Sequence, residues 1–198
     1  MPEVGSSIHA LQTAAYTDAV ARRGTAERAD GEVERLVDLR QARQAALSRE
    51  STPLRLWTVL NEAVLRRVVG SPAITGDQLL HLAEMIRHPK ITVQVLPYEH
   101  GAHPGMAAGP FQILGFPWPA DPGVAYVEHR AGACYLERDH EIEAHTVAFE
   151  HLVALALSPE SSVAVVREIA KESSERERTD PFVRGVERSG VAEVHLQR

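Results

Sequence analysis

An α+β fold, with helices packed on a small, mainly antiparallel sheet and helical segments at both ends, is what this sequence predicts. Three observations carry the prediction. Apolar residues recur at helical spacing before residue 89 and again after residue 139. Between those points the chain breaks into short runs rich in β-branched residues, separated by Gly- and Pro-containing turns. These runs lie close together and are joined by loops, the pattern of an antiparallel meander.

Leu11-Gln12-Thr13 leads into a first helix over 14–21, with Tyr16 and Val20 on one face and Gly24 as its stop. Asp30 caps a longer helix over 31–49. Val33, Leu36, Val37 and Leu47 form its apolar side, Arg40, Arg43 and Gln44 its other face, and Pro53 closes the unit. Period-two alternation over 54–60 predicts a strand with Leu54, Leu56, Thr58 and Leu60 on one side. It runs at once into a helix capped by Asn61, with Glu62 in the favourable first turn. After Gly70-Ser71-Pro72, Thr75 is expected to cap an amphipathic helix to His88, with Leu79, Leu82, Ala83 and Ile86 as its stripe.

Strands are expected over 91–96, 111–116, 124–128 and 133–136, with a long loop over 98–109 and a turn-rich segment over 117–123. Asp139 caps a helix through Ala156, and Ser158-Pro159-Glu160 starts another that carries Val163, Val166 and Ile169. From residue 173 the chain is charged and aperiodic. Residues 1–172 are therefore read as one domain and 173–198 as a flexible tail.

Bulk properties narrow the function. A single cysteine, Cys134, excludes an internal disulfide and fits a reducing, cytoplasmic setting. The first residues show no signal-peptide pattern, and no apolar run reaches the length of a membrane helix. The formal charge is −6, with basic residues interleaved among acids, which argues against direct nucleic-acid binding.

A series of phrases then points to a family. In order these are Leu11-Gln12-Thr13 with Tyr16, the Arg40–Gln44 stretch with its Arg-Gln pair, and Asn61-Glu62-Ala63-Val64-Leu65-Arg66. Ile91–Pro97, Gly101–Met106, Phe111–Leu114, Tyr126-Val127-Glu128 and Phe149-Glu150 through Ser162 continue it. Taken in this order, the phrases resemble the DUF5753 domain over about residues 8–170. The resemblance implies the effector half of an actinobacterial, antitoxin-like regulator with an XRE-type helix-turn-helix. The resemblance places the helix-turn-helix upstream of this domain, and this chain is read as a version lacking it. The implied partners are a helix-turn-helix domain and a small toxin-like protein, with a homodimer expected.

Candidate site residues follow from residue chemistry. The loop carrying His100 and His103 has glycines that let backbone approach a ligand, and loop histidines serve as hydrogen-bonding groups, acids or bases. Glu62, Arg66 and Glu128 would add a polar cluster for a small molecule or a partner's cation if they face a common cleft. The plainer arrangement is a Glu62–Arg66 pair at i,i+4 with Glu128 at the surface. The i,i+5 spacing of His140 and His145 argues against a metal site, and no metal or cofactor is expected. Trp57 and Trp118 read as core and loop anchors, Cys134 as a buried inert thiol, and His145 as half-buried packing. The leading expectation is a ligand-sensing and protein-interaction domain with its pocket bounded by the His100 loop. The rival is a stand-alone lyase or cyclase of secondary metabolism, using His103 with Glu62 or Glu128 as acid and base.

Overall fold

The structure, a computed structural model, describes residues 7–24, 30–49, 54–116, 118, 121–129 and 132–179. A 3-10 turn, Ser7–Leu11, precedes α1 (Ala14–Gly24) and α2 (Asp30–Ala45), which ends in a second such turn. β1 (Leu56–Asn61) leads through α3 (Glu62–Arg66) and α4 (Pro72–Met85) to β2 (Ile91–Leu96). After the short α5 (Gly105–Ala108) come β3 (Phe111–Leu114), β4 (Val124–His129) and β5 (Gly132–Leu136). The helices α6 (Asp139–Leu155) and α7 (Pro159–Thr179) complete the described chain.

The strands fall into two sheets. β3, β4 and β5 form the expected antiparallel meander, with Phe111 opposite Val127 and Tyr126 opposite Tyr135. β2 does not join it. It lies parallel to β1, in register from Leu56↔Ile91 to Asn61↔Leu96. A parallel pair needs a crossover, and α3 and α4 supply one, so residues 56–96 are a βαβ unit. Period-two alternation fixed the buried face of β1 but could not choose its partner.

The core lies on one face of this parallel pair. Leu56, Leu60, Ile91, Val93 and Val95 pack against Leu79, Leu82 and Ala83 of α4 and Val166, Ile169 and Ala170 of α7. Burial of each large side chain contributes roughly 1.5–3 kcal/mol. α4 and α7 approach closely because small residues meet there: a Cβ on Gly76 would stand 3.4 Å from Ser174 Oγ. The outer edge of β2 is finished by the segment entering α7. Leu157 N–H donates to the Val95 carbonyl, and Val95 N–H donates to Ser162 Oγ, both at 2.9 Å. The second sheet rests on α6, where the Phe111 ring meets His145 edge to face at 5.0 Å.

The helix caps show where local signals competed. Asn61 caps α3 through Ala63 N–H, as expected. α4 starts at Pro72 with Ser71 as its cap, because Pro fits the first helical turn. Thr75 is inside that helix, its hydroxyl bound to both the N–H and the carbonyl of Val69. α7 runs on to Thr179 with Ser173 buried, donating to the Pro72 carbonyl at 2.8 Å, so the helix takes up the first seven residues assigned to the tail. The rest of that tail, 180–198, and Pro53 lie outside the described residues.

Three expectations about single side chains are corrected. Trp57 is 53% exposed rather than core, because it stands on the face of β1 opposite Leu56 and Leu60. Cys134 is exposed, on an edge strand with one neighbour. Arg40, placed on the outer face of its helix, is turned inward and only 8% exposed.

Candidate functional site

The carboxyl ends of β1 and β2 bring several predicted residues together. Glu62, the first residue after β1, is buried and holds two partners. Its Oε1 accepts from Arg66 Nε at 2.6 Å, and its Oε2 accepts from Tyr98 N–H, just past β2, at 3.1 Å. Burial pushes the Glu62 carboxyl up, but the Arg66 hydrogen bond and the Tyr98 N–H outweigh it and hold the group below its ordinary range. Arg66 donates its second arm to Glu172 of α7 at 2.9 Å, and Glu172 also lies 3.8 Å from Arg176. The Glu62 hydrogen bond, with the Coulomb pull of both acids, raises the Arg66 guanidinium further.

His103 sits beside this network. Asn61 uses its Oδ1 as the α3 cap, so its amide nitrogen is the atom facing His103 Nε2 at 3.2 Å. An amide nitrogen can only donate, which makes Nε2 the acceptor and puts the ring hydrogen on Nδ1. That Nδ1 is buried without a hydrogen-bond partner. Gly105 lets the chain fold against the imidazole, since a Cβ there would lie 3.1 Å from Nδ1. Gly101 and Gly109, with φ of 62° and 68°, supply the left-handed turns at either end of the loop.

The remaining predicted residues stand apart. His100 is exposed in a 3-10 turn, Tyr98–His100. Glu128 is exposed on β4, in the other sheet. Among the described residues no hydrogen bond joins His103 to Glu62 or to Glu128. His103 Nε2 faces Asn61, and each oxygen of Glu62 accepts a hydrogen bond. The space beside Arg66, bounded by Leu65, Thr75, Ile169 and Glu172, is about 10 Å³, room for a single water. The Glu62–Arg66 pair is therefore a strut between β1, β2 and α7.

α6 packs apolar side chains against both β1 and the His103 loop. Trp57 meets Phe149 of α6 edge to face at 5.6 Å and donates its indole N–H to Gln94 Oε1 at 2.8 Å. Leu152, one turn on from Phe149, lies under Gly105, and the next residue, Met106, is 71% exposed. Tyr98 is also largely exposed. Sequence reasoning missed Trp57 and Met106 as surface groups. The signal was available for Trp57, whose place in the alternation of β1 is opposite the core.

Fold and site together define a two-sheet α+β domain with a βαβ unit clasped by a C-terminal helix. The chain belongs to the DUF5753 family, described as a domain of unknown function, whose model matches residues 8–168. No curated protein and no solved structure matches it. Among the described residues no helix is long and apolar enough to cross a membrane.

Proposed function

We propose that this chain is an effector and protein-interaction domain of a bacterial transcriptional regulator, and that it binds its partner through the surface around His103. The regulatory part rests on the resemblance set out above. The binding part is supported by two exposed side chains: Trp57, edge to face with the half-buried Phe149 of α6, and Met106, in the loop whose His103 Nδ1 is buried without a partner, α6 packing against both β1 and that loop. Exposed clusters of this composition mark interaction sites, and Trp is enriched among the residues that dominate them. Partner binding here would shift the domain between states only as far as the partner prefers one of them. The partner expected by resemblance is a small toxin-like protein, with a helix-turn-helix domain in a longer version of the chain.

The test is co-purification with the small protein encoded beside its gene. Wild type should co-elute, and Trp57→Ala and Met106→Ala should release the partner while keeping the wild-type circular dichroism spectrum. Failure of wild type to bind any neighbouring gene product would remove the interaction reading. Binding that survives both substitutions would move it to another face.

A further inference from the structure

The chain between the first 3-10 turn and α1 is held in place by side chains. Three successive carbonyls accept from three glutamine amides: Ala10 from Gln44 at 3.0 Å, Leu11 from Gln78 at 2.8 Å and Gln12 from Gln41 at 3.2 Å. Gln78 grips twice, its Oε1 accepting from Thr13 N–H at 2.7 Å. Gln41 and Gln44 belong to α2 and Gln78 to α4, so residues 10–13 are a strap pinned to two helices. Between the pins Leu11 is wholly buried, in the core cluster that holds Leu56 and Leu79.

One pin is shared with a titratable group. Gln44 Nε2 also lies 3.0 Å from Nε2 of His81, on α4. An amide nitrogen has two hydrogens and accepts none, so one goes to the Ala10 carbonyl and the other to the imidazole. His81 Nε2 is therefore the acceptor, and the neutral ring carries its hydrogen on Nδ1. A proton on Nε2 would set two donors against each other. Turning the amide over to offer Oε1 to the imidazolium would strip the Ala10 carbonyl of its donor. Proton and strap thus compete for one amide. Within one turn of the pair the charged groups are Arg40 and Arg43 on α2 and Asp77 and Glu84 on α4, with His9 titratable in the first 3-10 turn. Burial is what lowers the proton affinity of His81. His9, lowered to about 4, stays neutral in the folded domain above about pH 5.

We propose that His81 and Gln44 form a proton-operated latch on the strap: the neutral imidazole holds the Gln44 amide on the Ala10 carbonyl, and protonation of Nε2 frees residues 10–13 from that hold. Release brings His81 closer to its ordinary value of 6.5, so the open strap gains up to about tenfold for each pH unit below it. Only the use of the latch rests on the regulatory reading: a helix-turn-helix upstream of the domain, as the resemblance implies, would be joined through this strap. The latch itself is a property of the domain and needs no partner.

The experiment is amide hydrogen exchange by NMR on the full chain from about pH 7.5 to 5, alongside titration of the His81 ring. Protection of Thr13 N–H is read relative to Val93 and Val95, whose exchange requires the core to open. That ratio should fall at least about threefold as His81 titrates. His81→Gln offers the amide an acceptor that cannot titrate and should hold the ratio constant over the same range. If His81→Gln does not fold, Gln44→Met removes the pin, and should raise the His81 midpoint and leave Thr13 poorly protected at every pH. A ratio that stays level across the His81 titration in wild type overturns the proposal, as does one that still falls in folded His81→Gln. A neutral His81 ring with its hydrogen on Nε2, read from its nitrogen shifts, does the same.

Discussion

Lowering the pH should destabilise this domain through His9 before its carboxylates begin to protonate. The imidazole falls from 6.5 to about 4 on folding, first through burial and then through Arg40 and Arg43. A base whose pKa is depressed in the folded state binds its proton more tightly unfolded. The stability it contributes is present above pH 6.5 and is lost as the pH falls through about 4. The full difference would be worth about 3 kcal/mol. The ring is only partly buried, and screening by solvent reduces the expected loss to about 1–2 kcal/mol. Urea unfolding at steps between about pH 7.5 and 4.5 measures it, with wild type compared against His9→Gln. His81, lowered by its own burial, contributes equally to both proteins and cancels. Glu62, held below its ordinary value, loses its contribution only as the pH falls below 4.5, outside most of the window. Parallel curves for wild type and His9→Gln would refute the assignment to His9.

Three other outcomes are expected. Arg66→Met leaves the buried Glu62 carboxylate with only the Tyr98 N–H and should cost about 2 kcal/mol, read as a lower urea midpoint with an unchanged slope. Thr75→Val removes a hydroxyl that serves both polar groups of Val69 and should cost about 1–2 kcal/mol, measured by thermal unfolding. Leu11→Ala, at a wholly buried position, should cost about 3 kcal/mol, and a loss under about 1 kcal/mol would show that the first turn contributes little to the core.

Elements that declare themselves by periodicity were legible in the sequence. The strand at Leu56–Leu60, the stripe of α4 and the start of α7 all followed from spacing and caps. The pairing of β1 with β2 was not, since alternation carries no information about the neighbouring strand. The inward turn of Arg40 was also hidden. An arginine on the flank of an apolar stripe looks solvated until tertiary structure brings it an acceptor, here Gln12, which lies in another part of the chain. A second contact joins the same two phrases of the family resemblance: Gln41 Nε2 donates to the Gln12 carbonyl at 3.2 Å. For the site, adjacency in sequence exposed the Glu62–Arg66 pair. It could not show that Tyr98 N–H and Glu172 would occupy both residues, nor that Glu128 would stand on a different sheet.

The parallel pair is covered by a helix that arrives late in the chain. Val166 and Ile169 of α7 close the apolar face of β1 and β2, and Ser162 completes the edge of β2. On a ribosome, about seventy residues separate the end of β2 from Val166, roughly 4–14 seconds of synthesis. Through that interval α4 alone covers the apolar face of the nascent sheet, and the edge of β2 lacks the partners that Leu157 and Ser162 supply. The domain can therefore close only after nearly all of it has been made, and a chaperone that shields short apolar strands would act in that interval.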